Sequence, residues 1–477
     1  MKLRELLPNI ESKLNNIEIT GMTCNSKEVQ TGFAFICING TNVDGHKFAK
    51  SAVENGAAII VCERDLGLAN QIVVDDTHAV YAEMSARWFG SPADKIKLIG
   101  VTGTNGKTSV VYMLKAILEK SGNKVGVIGT IQNMVGDKII SSNNTTPGAY
   151  ELNALLAQMV DEGCQYAVME VSSHALDQKR VHNLTFEVAA FTNLTQDHLD
   201  YHLTMENYFV AKSKLFKMSK TAVVNFDDVY GKKLIDSLTG KVVSYSVKQD
   251  TSTYTAKEIF YKPDSVKYQM VGYNFINKIR VGTGGKFTVY NSLCAAACAI
   301  ELGIDMSVIS SALSEMHGVK GRAEVVPTNR DFTVIIDYAH TPDGLENILN
   351  TFKEYRECRL VVVFGCGGDR DKTKRPIMGE IATRLADFVI ITSDNPRSED
   401  PMSIINDIVS GIKDGRKKYK IIENREEAVK FAIATAGKND IIVLAGKGHE
   451  TYQEIHGVKH HLDEREVVAA YLEEMEN

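Results

Sequence analysis

Apolar and polar positions along this chain fall into blocks that switch between a strand period and a helix period. Residues 96–101 read as a buried strand, after which Val111, Leu114, Ile117 and Leu118 recur at helical spacing until Gly122 supplies a stop. The same rhythm continues through apolar runs at 125–128, 166–171, 188–192 and 222–225, the pattern of a mostly parallel, doubly wound sheet. Ahead of it, short strand-like runs at 33–38, 57–62 and 72–74 predict a small α/β unit ending near Ser91-Pro92. Positions 250–290 are more polar and β-rich, which predicts an antiparallel edge, and a helix is expected over 292–302. A third section starts near Arg322, with strand candidates at 334–336, 360–364, 388–391 and 441–444. The expectation is an α/β chain of three domains: a small N-terminal α/β domain (1–92), a central P-loop, ATP-binding parallel-sheet domain (93–321) and a C-terminal Rossmann-like domain (322–477).

Gly100-Val-Thr-Gly-Thr-Asn-Gly-Lys107-Thr108 sits between the first central strand and its helix. Glycines let backbone N–H groups close around phosphate oxygens at a helix N-terminus, where the dipole favours negative charge. Gly103, Thr104, Asn105, Gly106, Lys107, Thr108 and Ser109 are therefore the candidate nucleotide cradle, with Lys107 reaching the outer phosphates and the Thr108 hydroxyl ligating magnesium. The glycines fall at 100, 103 and 106, and Val101 stands where a strict Walker A pattern has glycine.

Composition narrows the class. The chain is 44% hydrophobic and 24% charged, as in ordinary globular proteins, and its net charge of −6 argues against nucleic acid as the main partner. Its eight cysteines are scattered; Cys294 and Cys298 lack a second pair to complete a zinc site, so structural thiols in a reducing cytoplasm are expected. The N-terminus carries charges through its apolar positions, and no apolar run reaches the ~18 residues of a membrane span. A cytosolic protein, taken as a monomer, is the expectation.

Four strand candidates of the third section run into polar or glycine-rich segments: Asp337-Tyr-Ala-His-Thr-Pro, Gly365-Cys-Gly-Gly-Asp-Arg370-Asp, Ser393-Asp-Asn-Pro-Arg397 and Gly446-Lys-Gly-His-Glu450. In open α/β sheets, ligands bind at the carboxyl ends of strands, so these four predict one shared crevice on a sheet separate from the phosphate loop. In the central section Glu170 leaves a strand beside that loop, the usual place of a second magnesium anchor, or else of a structural ion pair. His198 reads as a hydrogen-bonding histidine or a ligand, and Lys212 as a solvated helix lysine.

These residues together resemble the Mur ligases of peptidoglycan synthesis, in order and over essentially the whole chain. The resemblance rests on the phosphate loop, Glu170-Val-Ser-Ser-His, Asn193 to His198, Ala211-Lys212, Tyr290-Asn291, Gly321-Arg322-Ala-Glu324 and Asp337-Tyr-Ala-His340. It implies that Lys212 is carbamylated by carbon dioxide into an anionic metal ligand, beside Thr108, Glu170 and His198 on Mg2+. It also implies that Asn291 contacts adenine, Asp337 the ribose and Arg322 the phosphates of ATP. The implied reaction is ATP-driven amide formation through an acyl phosphate, with Lys107, Lys212, His198 and Glu170 as catalytic residues.

Within that family the chain is most similar to ligases adding the third residue of the stem peptide to a UDP-linked muramyl dipeptide. That similarity assigns Cys24, Ser26, Thr41, Asn42, Val43, Asn144, Thr145, Thr146, Ser172, Gln178 and Arg180 to the UDP substrate; Asn25-Ser26-Lys27 departs from the common Asp-Ser-Arg. Asp394-Asn395-Pro396-Arg397 resembles the members that use meso-diaminopimelate, whose second carboxylate a guanidinium holds bidentately, whereas the ammonium of lysine would be repelled. Arg370, Gly446 and Glu450 match the remaining diaminopimelate contacts. An L-lysine-adding relative and a folylpolyglutamate synthetase-like ligase are the alternatives within the fold. A nucleotide-binding scaffold without ligase activity is the alternative outside it.

Overall fold

A computed structural model describes residues 1–9, 12–40, 43–142, 144–262, 265–316, 318–353, 358–412 and 419–475. Three sheets organise the chain. The first holds β1 (Gly21–Thr23), β2 (Phe33–Ile36), β3 (Ile59–Cys62) and β4 (Gln71–Val73), all parallel and in sequence order. The runs at 33–38 and 57–62 thus become strands trimmed by two residues, and the run at 72–74 a strand shifted by one. β1 escapes the pattern because Gly21 is kept bare for the Phe33 ring; a Cβ there would lie 2.5 Å from Phe33 Cε1.

The central sheet contains β5 (Lys97–Thr102), β6 (Val125–Ile128), β7 (Asn133–Val135), β8 (Lys138–Ile140), β9 (Tyr166–Glu170), β10 (Phe186–Phe191), β11 (Ser219–Asn225), β12 (Lys241–Ser246), β13 (Tyr254–Lys262), β14 (Ser265–Gly272) and β15 (Phe275–Val281). Their spatial order is β15-β14-β13-β12-β11-β10-β5-β9-β6-β7-β8. The middle of this sheet is parallel, and antiparallel pairs close both edges, including the edge expected over 250–290. Its parallel strands are buried on both faces, as their continuous apolar runs require. One face is covered by the helices Lys107–Lys120 and Lys286–Glu301, the latter presenting a fully buried stretch from Leu293 to Ala299 that includes Cys294 and Cys298. That second helix starts six residues ahead of the expected 292, because Lys286, Thr288 and Asn291 break the apolar pattern although Thr288 and Asn291 are buried.

The third sheet is ordered β16 (Glu324–Val326), β17 (Thr333–Asp337), β21 (Ile441–Ala445), β18 (Leu360–Phe364), β19 (Phe388–Ile391), β20 (Tyr419–Ile421), parallel except for β16 at its edge. A polar hairpin of β22 (Tyr452–Ile455) and β23 (Val458–His461) stands beside it and carried no apolar signal. No helix among the described residues is long and apolar enough to cross a membrane.

Leu293 is fully buried between sheet and helices. Leu293→Ala should cost about 2–5 kcal/mol of stability, because the cavity left by the lost side chain collapses only partly. Urea unfolding with an unchanged midpoint would contradict this packing.

Candidate functional site

β5 lies between β10 and β9, with Val101 level with Glu170 and Thr102 level with Phe191, so its carboxyl end opens where the chain departs to both sides. The turn out of β5 depends on glycine at two points. Gly103 has φ +146, and a Cβ there would lie 1.9 Å from Thr192 Oγ1; Gly106 has φ +87, and a Cβ there would lie 2.4 Å from Asn291 Oδ1. The loop is pinned from β10: Thr192 Oγ1 donates to Asn105 O (2.6 Å), Asn105 N to Asn193 Oδ1 (2.9 Å) and Thr104 N to Asn193 O (2.9 Å). Lys107 curls over it and donates to Gly103 O (2.9 Å) and Thr104 O (2.8 Å). Ser109 follows inside the helix.

Lys212 approaches the same loop from the helix Met205–Ser213 and donates to Gly103 O at 2.9 Å, so two lysine amines share one carbonyl. It is 2% exposed and sits 4.6 Å from the Tyr208 ring centre. Burial first, then the neighbouring Lys107, holds its amine well below the usual lysine range. Expected as a solvated helix lysine from its own surroundings in the sequence, Lys212 is an interior one.

Glu170 is buried at the end of β9. Its Oε1 accepts from the Thr108 hydroxyl (3.0 Å) and Thr130 N (2.9 Å), and its Oε2 from the Thr130 hydroxyl (3.1 Å). His198 lies in the left-handed region (φ +53) and is exposed, with its ring edge-on to His174 at 4.9 Å; burial lowers the His174 imidazole to about 4. Among the described residues no group of three or more His, Cys, Asp and Glu side chains is arranged to hold a metal. The Thr108 hydroxyl and the Glu170 carboxylate nevertheless set hard oxygen donors side by side, the chemistry magnesium selects, and Lys212 could add oxygens only as a carbamate.

Asn291 touches the loop at Gly106. Arg322 crosses from the third section to reach the Thr108 hydroxyl (3.4 Å), stacking on Tyr338 at 5.0 Å. Asp337 ends β17 and accepts from Ala323 N (2.7 Å) and Ala339 N (2.8 Å), while burial pushes its carboxyl up.

Of the residues assigned to a UDP substrate, Thr145, Thr146, Ser172, Gln178 and Arg180 lie together beside Glu170 and Thr130. Thr146 Oγ1 donates to Glu170 O (2.8 Å) and accepts from Ser172 N (3.0 Å), and Arg180 donates to Thr146 O (2.8 Å) and to Gln178 Oε1 (2.6 Å). Thr145 meets the Thr130 hydroxyl at 3.0 Å, and Asn144 is exposed beside it. On the first section Cys24 is exposed and Ser26, at the start of the turn Ser26–Glu28, is half-buried. Val43 is exposed, and Thr41 and Asn42 lie outside the described residues.

At the carboxyl edge of the third sheet the four polar segments do come together. Asn395 is the hub: it donates to Glu450 Oε2 (2.9 Å) and accepts from Lys447 Nζ (3.0 Å) and Glu454 N (2.9 Å). Lys447, fully buried, also donates to Glu450 Oε2 (3.1 Å). Arg397 has φ +52 and is clamped by Gly368 O (2.7 Å) and Glu454 Oε2 (3.2 Å). A Cβ on Gly367 would meet Arg397 Nη1 at 3.0 Å and Arg370 Cγ at 3.8 Å, so the two guanidinium side chains flank that glycine. Gly368 packs on Pro396 O, and a Cβ on Gly446 would lie 2.7 Å from Asp394 Oδ2. Burial would push the Asp394 carboxyl up, but Lys447 and Arg425 hold it below the usual carboxylate range.

Five participants were not singled out from sequence. Asp343 accepts from Asn105 of the loop (2.9 Å) and from Thr195 (3.1 Å), joining the third section to the cradle. Tyr208, Thr130 and Arg425 sit in apolar or loop contexts that carry no chemical signature. Lys447 was within a quoted segment, but only its burial reveals its part.

A glycine-built loop on one sheet is linked through Arg322 and Asp343 to a charged crevice at the edge of another. Comparisons with known proteins say what class of protein this is. Residues 18–88, 101–299 and 321–448 match the domains described as Mur ligase family, catalytic domain; Mur ligase middle domain; and Mur ligase, glutamate ligase domain. The chain belongs to the Mur ligase family. It is 47% identical over 483 residues to the UDP-N-acetylmuramoyl-L-alanyl-D-glutamate--2,6-diaminopimelate ligase of Caldanaerobacter subterraneus subsp. tengcongensis, covering all of both chains. It is 43% identical over 485 residues to the ligase of that name from Clostridioides difficile, again at full coverage. A solved structure of a ligase with this name matches with a TM-score of 0.75 at 33% identity, covering 100% of this chain and 99% of the other. A folylpolyglutamate synthase from Mycobacterium tuberculosis shares the fold over 83% of this chain and 94% of its own, with a TM-score of 0.63 at 18% identity.

The loop carrying Arg370 is braced from below by Glu399, which accepts from Asp369 N (2.7 Å) and from the fully buried Arg375 (2.8 Å). The hydrogen bond from Arg375 lowers the Glu399 carboxyl to about 2. Its stabilisation is present above the unfolded glutamate pKa of about 4.3 and is lost as pH falls toward about 2. The stability gap between wild type and Arg375→Met, measured by urea unfolding, should therefore narrow across that window. A gap independent of pH would place the effect elsewhere.

Proposed function

We propose that this protein joins meso-diaminopimelate to UDP-N-acetylmuramoyl-L-alanyl-D-glutamate at the expense of ATP. The carrying observation is the crevice in which Arg370 and Arg397 flank Gly367 while Asp394, Asn395 and Glu450 face them through Lys447. An amino acid with a carboxylate and an ammonium at each end needs that alternation of charge, and lysine does not. The names of the full-length relatives support the same substrate pair. The sheets divide the work, with the UDP substrate on 1–92, ATP on 93–321 and the amino acid on 322–477.

In this reading the Gly103–Ser109 loop cradles the triphosphate, Lys107 swings from the loop carbonyls to the outer phosphates, and Arg322 reaches the phosphates from the third domain. Asn291 takes the adenine and Asp337 the ribose. Thr108, Glu170, His198 and a Lys212 carbamate would hold Mg2+, whose charge would offset the repulsion between the attacking anion and the phosphates. Lys212 is suited to its modification because burial and Lys107 favour the neutral amine, which bonds to the carbon of CO2 and releases a proton. The dipeptide carboxylate, positioned by Thr146, Ser172, Gln178 and Arg180, attacks the γ-phosphorus and expels ADP. The resulting acyl phosphate has the leaving group that a carboxylate lacks. The amine delivered by the third domain then attacks the carbonyl carbon and loses its proton, and phosphate departs.

ADP release in the presence of the UDP-linked dipeptide should depend on meso-diaminopimelate and be slight with L-lysine; equal turnover with lysine would sink the assignment. Lys212→Ala should abolish turnover, with partial return on adding a short carboxylate, whereas a scaffold protein would tolerate the change.

A further inference from the structure

Behind the crevice lies a buried ion set that no step above uses. Arg425 is 1% exposed and donates through Nε to Glu464 Oε1 (2.9 Å) and through Nη2 to Ala445 O (2.8 Å). Its third nitrogen, Nη1, has no hydrogen-bond partner and stops 3.6 Å from Asp394 Oδ2. That oxygen is itself buried and unpaired, since the hydrogen bond from Asn395 N (2.7 Å) falls on Oδ1. Lys447, Lys374, His340, Tyr338 and Cys366 are further cationic or titratable groups acting on this carboxylate, and Glu450 meets it through Asn395.

A pair built only for stability would close to about 2.7–2.9 Å, because charges taken out of water must recover their lost hydrogen bonds. Here the guanidinium is anchored on its far side and cannot close. Oδ2 is left against Gly446, where a Cβ would lie 2.7 Å away and seal it off. An unpaired buried acceptor beside a glycine is a place for a donor brought by a ligand.

We infer that Arg425 is a positioning residue for the amino-acid crevice, fixing the Asp394 carboxylate so that Oδ2 is offered to an ammonium of the incoming diamino acid. Glu464, the first residue of the helix Glu464–Glu474, holds Arg425 in turn, so the C-terminal helix helps to set amino-acid affinity. The inference rests on the proposed reading of the crevice.

The test is a double-mutant cycle on ADP release, in the full chain saturated with the other two substrates. Arg425→Lys keeps a charge but cannot hold Glu464 and Ala445 while facing Asp394. It should raise KM for meso-diaminopimelate about tenfold, with the KM for ATP within about twofold of wild type. Paired with Asp394→Asn, which removes the same acceptor, it should add little further loss. If Arg425→Lys does not fold, Glu464→Gln, which weakens the grip on the same guanidinium, goes through the same cycle. Additive losses, or equal rises in the KM of all three substrates, overturn the inference. Failure of the functional reading itself is distinguishable, because it would already appear as no meso-diaminopimelate turnover in the wild type.

Discussion

Two lysines donate to the carbonyl oxygen of Gly103, and much of the molecule's chemistry follows from that crowding. The carbonyl faces both because Gly103 adopts φ +146 in contact with Thr192, a conformation closed to any residue with a Cβ. Burial disfavours the charged form of both amines, and the neighbouring Lys107 adds to the push on Lys212 toward neutrality. The loop thereby brings the Lys212 amine to the Gly103 carbonyl from a position more than a hundred residues away. The arrangement requires β10 to lie directly beside β5, since Thr192 and Asn193 supply the wall against which the loop is pressed.

Glu170 plays the complementary part on the other side of β5. Its carboxylate gathers Thr108 and Thr130, and its backbone carbonyl holds Thr146. The strand that anchors the nucleotide side therefore also anchors the segment facing the first sheet. The loop after β5 and the Thr146 segment consequently share a short stretch of parallel sheet, and Arg322 and Asp343 bring the third sheet against it.

The parallel strands were legible because both of their faces are buried, leaving unbroken apolar runs. What escaped was whatever is ordered by partners rather than by its own composition. β1 is shaped around the Phe33 ring, the hairpin of β22 and β23 is polar, and the first two turns of the helix Lys286–Glu301 carry polar residues whose burial only tertiary packing explains. The site divided in the same way. Gly-Lys-Thr, Asp-Asn-Pro-Arg and Gly-His-Glu are local arrangements and could be read directly. The burial of Lys212, the hub role of Asn395 and the reach of Asp343 to Asn105 join positions far apart in sequence, and no periodicity encodes them.

The contacts of Arg322 with Thr108 and of Asp343 with Asn105 and Thr195 carry a thermodynamic obligation. They tie the cradle to the domain that bears the crevice, so a ligand that favours this joined arrangement from one side favours it for the ligand on the other. If the two sites bind as proposed, linkage makes any coupling symmetric: the factor by which nucleotide tightens the grip on the amino acid equals the factor by which the amino acid tightens the grip on nucleotide. Under the proposed function, the joint would make occupancy of one site favour occupancy of the other.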